Sequence, residues 1–186
     1  MEIMYSADQY YRSFDLKRVY YSGYIPISYD SRMPQIGSQP PLLRENRLYQ
    51  TDWLMRFYGF NVREILNEKN PHLDVDIDPK LSWALRNPDL FPVDINTADY
   101  YMILRVPGIG VGSAQKIVQA RKFGRLRSDQ LRKMGIAYNR AKHFIRCADS
   151  VIQLTNPEPH QVKAQILQDS NSKYLKTPQN QLSLFS

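Results

Sequence analysis

Two stretches of this chain, 27 residues apart, carry the same order of apolar, glycine and small residues. LRVPGIGVGSAQKI at 104–117 aligns with LRKMGIAYNRAKHF at 131–144. Leu104 corresponds to Leu131, Arg105 to Arg132, Gly108-Ile109 to Gly135-Ile136, Ala114 to Ala141, and Ile117 to Phe144. A repeat of this length is one supersecondary unit used twice, and two copies bury their apolar faces against each other. In the first copy, Asn96 or Thr97 is placed to cap a helix running through Leu104. Pro107 to Gly110 makes a tight turn. A second helix starts near Gly112-Ser113 and carries Ala114, Ile117 and Val118 on one face. FGRLRSDQL (123–131) is the connector, with Ser128 or Asp129 as a helix cap.

The residue types in the first turn fit more than a bend. Glycines at 108 and 110 permit φ values that a side chain resists, and let backbone N–H groups approach an anion closely. The following helix adds its orphan N–H groups and the positive end of its dipole. Ile109 is suited to anchor the turn in the core, and Ala114 to allow two helices to cross closely. Lys116 and Arg121 supply charge-assisted contacts to a phosphate. The full pattern of cap, apolar face, PGIG, small residue and second apolar face resembles a helix-hairpin-helix motif, which implies DNA binding. A plain αα-hairpin with a glycine-rich turn is the simpler alternative. The expected contact set is Pro107, Gly108, Ile109, Gly110, Gly112, Ser113, Lys116 and Arg121, with Gly135, Arg140 and Lys142 from the second copy. Ala137 stands where the first copy has Gly110, so the second turn is expected to bind phosphate less well or only to pack. Contacts of this kind go to the backbone and position DNA without reading its sequence.

The charge supports this placement. The 186 residues carry 25 Lys+Arg and 18 Asp+Glu, a net charge of +7. Residues 94–150 alone hold eleven basic and four acidic residues, so the whole excess lies in that window. The single cysteine, Cys147, excludes a disulfide framework, a four-cysteine zinc site and a cysteine-ligated iron–sulfur cluster held by this chain alone. No apolar run reaches membrane-spanning length and no signal peptide is visible, which favours the cytoplasm and, with DNA binding, the nucleoid.

Upstream, residues 1–30 are tyrosine-rich. A helix is expected from Ser6 to Phe14, followed by a β-prone stretch, LKRVYYSGYIPI (16–27). SRMPQIGSQPP (31–41) reads as a loop. Helical spacing marks 42–60, with Gly59 as its stop, and a short helix follows in 61–70. Asp78-Pro79 opens a helix through Arg86, and Asn87-Pro88 ends it. From Thr155 the composition is that of a disordered tail with one helix at His160–Gln168. The fold class is therefore mainly α. A tandem helix-hairpin-helix domain at 94–150 follows an α-rich segment with one or two short β-strands, and a flexible tail at 151–186 comes after it.

Other chemistry finds little purchase. Asp74, Asp76 and Asp78 alternate, which could gather carboxylates for a metal, but a solvated edge with a cap at Asp78 accounts for them better. His72, His143 and His160 lack zinc spacing. Arg44, Glu45, Arg47, Trp53 and Arg56 share one expected helix and suit internal ion pairs as well as a partner. Ser113 has no strand–turn–helix elbow, and no GxxxxGK[ST] loop is present, so neither a hydrolase nor an NTPase is indicated. No catalytic, cofactor or metal site is assigned.

Two resemblances extend the reading. Gln181-Leu182-Ser183-Leu184-Phe185 resembles the linear motif with which bacterial proteins dock on the DNA polymerase sliding clamp, its apolar side chains filling a pocket and Gln181 bonding at the rim. DINTA, PGIG and SAQKI are similar to the helix-hairpin-helix domains of bacterial competence DNA receptors and repair proteins. LKRVYYSGYIPI, PPLLRENRLYQTDWLMRFYGF, DIDPKLSWAL and FPVDINTA resemble the C-terminal part of putative DNA modification/repair radical-SAM proteins, a family associated with uracil-DNA glycosylase-like partners. That resemblance implies an S-adenosylmethionine-binding barrel with a 4Fe-4S cluster N-terminal to this segment. Residues 1–30 are then a barrel remnant and 31–93 a helical linker. The chain is then a fragment, a split gene product or a reduced homologue. Three roles follow: a DNA-binding repair module recruited by the clamp, the accessory half of a radical-SAM enzyme, or a protein-interaction module.

Overall fold

A computed structural model describes residues 1–38, 42–150 and 158–170, and the chain divides into two compact units, Met1–Trp83 and Ala84–Ser186. The architecture is mainly helical, with one pair of short parallel strands among the described residues.

The first unit contains α1 (Glu2–Phe14), α2 (Leu42–Phe57), α3 (Val62–Ile65) and the start of α4 (Pro79–Arg86). Met4 and Ala7 of α1, Leu54 of α2, and Val62, Ile65, Leu66 and Leu81 form its core, with Trp83 set edge-on to Phe60. α1 begins four residues before the expected Ser6, because Met4, one turn ahead of Ala7, extends its buried face. α2 stops as expected: Gly59 takes φ +67, and the Phe60 N–H reaches back to the Leu54 carbonyl at 3.2 Å. α4 has the expected limits, with the Asp78 carboxylate accepting from the Leu81 N–H at 3.0 Å. Asp74 likewise accepts from the N–H groups of Asp76 and Ile77, so these two carboxylates organise local backbone.

The stretch at 16–27 is not a strand. Side chains of α1 and α2 satisfy its backbone instead. Val19 N–H donates to the Tyr11 hydroxyl, Tyr21 N–H to the Tyr49 hydroxyl, and Gly23 N–H to Glu45. Arg56 donates to the Lys17 carbonyl. Buried Asp52 sits under this strap. It accepts from the hydroxyls of Tyr11 and Tyr21 and pairs with Arg56 at 2.9 Å. Burial together with the Asp52 carboxylate pushes Tyr11 up to about 12 and raises Tyr21 as well. The tyrosine content that reads as β propensity thus serves a side-chain network. The short helix expected in 61–70 covers only Val62–Ile65, closed by an Asn61–Glu64 capping box.

The second unit continues through a 3-10 turn at Pro88–Leu90, β1 (Val93–Asp94), α5 (Tyr100–Arg105), α6 (Val111–Ala120) and a 3-10 turn at Arg121–Phe123. It then runs through α7 (Ser128–Lys133), α8 (Tyr138–Ala141), β2 (Ile145–Arg146) and α9 (Pro159–Ser170). β1 pairs in parallel with β2, Val93 opposite Ile145 and Asp94 opposite Arg146, so the entrance and exit of the repeated segment are tied together. Leu104 and Leu131, Ala114 and Ala141, and Ile117 and Phe144 are all buried, so each matched pair of the repeat lies in one core. α9 adds buried Val162 and Ile166, and its Asp169 pairs with Lys142, the C-cap residue of α8, at 3.1 Å. Among the described residues no helix is long and apolar enough to cross a membrane. The clamp-like pentapeptide 181–185 lies outside the described residues.

Candidate nucleic-acid interface

α5 and α6 form the first hairpin. Its caps differ from the expected ones. Asp99, not Asn96 or Thr97, caps α5, its carboxylate accepting from the Met102 N–H at 3.0 Å. Asn96 spans the hairpin instead. Its side-chain oxygen accepts from the Leu126 N–H at 2.7 Å while its Nδ2 donates to the Leu126 carbonyl at 3.3 Å. α7 starts on a remote cap. Asp149 accepts from both the amide and the hydroxyl of Ser128, at 2.9 and 2.7 Å, and these bonds hold its carboxyl down at about 2.

The turn between α5 and α6 needs one glycine for its conformation. Gly108 has φ +89, and its counterpart Gly135 has φ +80, so the two turns of the repeat share a left-handed residue at the matched position. Gly110 does not need that freedom: at φ −96 and ψ 173 it is extended, as any residue is at a helix N-cap. What glycine contributes there is the absence of a side chain. α6 has no side-chain cap, and among the described residues no acceptor pairs with the N–H groups of Gly110, Val111 and Gly112. Gly112 is exposed, and a Cβ there would meet nothing within 4 Å. These donors lie at the positive end of a ten-residue helix.

The second turn is built alike, but two of its three matched donors are occupied. Ala137 N–H, matching Gly110, donates to the Gly108 carbonyl at 2.9 Å. Tyr138 N–H, matching Val111, donates to the Ile136 carbonyl at 2.9 Å. The hydroxyl of Ser113 lies 3.4 Å from the Gly135 carbonyl. The second turn therefore presents fewer free amides than the first.

The remaining expected contact residues divide. Pro107 and Ile109 are buried and anchor the turn. Lys116 is exposed on α6. Arg121 is turned inward, its guanidinium donating to the carbonyls of Ala98 and of Ile95, the latter at 3.1 Å. Arg140 is half-buried, and Lys142 is held by Asp169. Residues missing from the expected set are exposed and basic: Lys122, Arg125, Arg127, Lys133 and Arg146, with Arg132 lying over the Tyr138 ring at 4.2 Å. The charge count of the window holds the signal that finds them. Cys147 is buried beside Ser150, and desolvation raises its thiol. Among the described residues no three His, Cys, Asp or Glu side chains gather as a metal site.

A family profile described as the helix-hairpin-helix motif matches residues 91–134. No curated protein and no solved structure matches the chain. The match covers α5, α6 and α7 and is consistent with DNA binding that does not depend on sequence; it ends just before the second turn at Gly135. It bears on the hairpin part of the resemblances stated above and not on their radical-SAM, competence-receptor or glycosylase-linked parts.

Proposed function

We propose that the segment from β1 to β2 holds the sugar–phosphate backbone of DNA without reading its sequence. The observation that carries this is the trio of unpaired N–H groups at Gly110, Val111 and Gly112, set in a turn that matches the helix-hairpin-helix motif. A phosphate oxygen accepts from such donors, and the helix dipole favours its charge. Lys116 and the exposed arginines of the connector add counterion-releasing contacts. Gly108, Gly110, Gly112, Ser113, Lys116 and the second turn at Gly135 make up the proposed interface, with Arg140 and Lys142 at its margin. The test is the affinity for a short duplex, measured by anisotropy of a labelled oligonucleotide across salt. Several phosphate contacts predict a fall of at least about tenfold between roughly 50 and 200 mM salt. An affinity that does not move with salt refutes the reading.

The setting we propose is DNA repair or modification, with Gln181–Phe185 as a docking peptide for the bacterial sliding clamp. Leu182, Leu184 and Phe185 offer apolar anchors, and Gln181 offers a hydrogen bond at the pocket rim. Removing residues 181–186 is expected to abolish capture by immobilised clamp and to leave DNA affinity unchanged. Clamp capture that survives the deletion refutes the assignment.

A further inference from the structure

α6 leads from the unpaired amides to a second exposed feature. Gly112, Lys116 and Gln119 are exposed and, at four and three residues apart, share one face of the helix. The 3-10 turn that continues α6 ends in Phe123, which is 91% exposed. Lys122 and Arg125 flank it, both exposed. Between Asp99 and Asp129 the chain holds basic residues and no acidic one. Single exposed apolar residues are ordinary on protein surfaces. Here the ring stands at the far end of α6 and its 3-10 extension, a segment with no acidic side chain whose N-terminal end offers amides to a phosphate.

Resting on the DNA reading above, we infer that this path along α6 carries single-stranded DNA, with Phe123 stacking on an unpaired base. One physical argument and one structural observation favour a single strand. A phenyl ring needs a free base face, and paired bases inside a duplex cover theirs with their neighbours. Two of the three matched donors of the second turn, the N–H groups of Ala137 and Tyr138, are occupied by the Gly108 and Ile136 carbonyls, so the fuller set of free amides lies on the first turn and suits one strand. From Gly112 to Phe123 is about 17 Å at helical rise, room for a strand of a few nucleotides. Lys116 lies a turn beyond the amides, placed for the next phosphates. Gln119 offers both a donor and an acceptor further along.

Affinities for a labelled oligothymidine and for a blunt hairpin duplex distinguish the possibilities. Phe123→Ala is expected to weaken oligothymidine binding by about 5- to 100-fold, the loss of one base–aromatic stack. Duplex affinity is expected to stay within about twofold, as for a surface substitution away from the contact. Phe123→Trp is expected to retain single-strand affinity, and its added indole emission, relative to wild type, is expected to be quenched by oligothymidine. Equal losses on both substrates, no loss on either, or a Phe123→Trp variant whose emission is not quenched each overturn the inference while leaving DNA binding standing. Wild-type protein that binds neither substrate, or binds both without dependence on salt, removes the DNA reading itself.

Discussion

The Gly108 carbonyl accepts the Ala137 N–H at 2.9 Å, and a Cβ added to Gly108 would lie 2.7 Å from the Ala137 carbonyl. The two turns of the repeat are thus joined backbone to backbone. Gly108 is constrained twice, by φ +89 and by this contact with a main-chain atom that cannot swing away. Gly108→Ala is expected to destabilise the fold by about 1–3 kcal/mol, or more where the turns must separate. A urea titration followed by circular dichroism measures it. An unchanged midpoint would mean that the turns do not depend on this contact.

Gly112 is the opposite case. It lies in a helix, exposed, with open space where a Cβ would go. Gly112→Ala is expected to raise stability by roughly 0.5–1 kcal/mol. Gly112→Glu places a carboxylate beside the free amides and is expected to lower DNA affinity at least about tenfold through like-charge repulsion. A folded Glu variant that binds like the wild type would place the phosphate elsewhere.

Arg121 and Lys116 separate structure from binding within one helix and its extension. Arg121→Ala leaves two backbone carbonyls, of Ile95 and Ala98, without a charged donor and is expected to cost about 1–3 kcal/mol of stability. Its effect on the salt slope of DNA binding should be small. Lys116→Ala should leave stability alone and reduce that slope by about 1. Exchange of the two outcomes would reverse the assignment.

Asn96 meets both backbone groups of Leu126. Asn96→Ala is expected to cost about 1–3 kcal/mol, because it strips a part-buried N–H and C=O together. Asn96→Asp keeps the acceptor but sets a carboxylate oxygen against the Leu126 carbonyl, and should rescue little. Amide exchange at Leu126, faster in both variants, localises the effect.

His143 gives a pH dependence. Its Nε2 is buried without a hydrogen-bond partner. Burial and, secondarily, Lys142 hold its pKa below the ordinary 6.5, with Asp169 opposing them. The unfolded chain therefore binds this proton more readily than the fold does. Stability is full above about pH 6.5 and falls as the pH drops through the lower folded value. Urea midpoints between about pH 7.5 and 5 should decline, and His143→Phe should flatten the decline. Parallel curves for the two proteins would remove His143 as the cause. Asp149, held at about 2, titrates well below this window.

Much of the candidate site is legible along the chain because its signals are local. The repeat, the turn glycine, the buried Ile109 and the cationic run come from adjacent residues, as do Pro79 at the start of α4 and the stop at Gly59. The misreadings share a cause. Asn96 is a good cap by type, yet it bonds to Leu126, 30 residues on. Ser128 suggests a cap by position, yet the carboxylate that serves it comes from Asp149. The aromatic stretch at 16–27 has strand composition and no strand partner, since hydroxyls and carboxylates of α1 and α2 take its backbone.

The sequence by itself determined that two like hairpins would pack together, which residues would be buried between them, and where the positive charge would collect. Periodicity, side-chain volume and formal charge decide those matters, and each is a property of residues in order. Only the tertiary structure decided which turn keeps its amides free, that Arg121 faces inward, and that Phe123 stands in solvent. A hydrogen bond is settled by which donor and acceptor meet in space. Gly110 and Ala137 hold matched places in the repeat, but only Ala137 finds a carbonyl in front of it, that of Gly108.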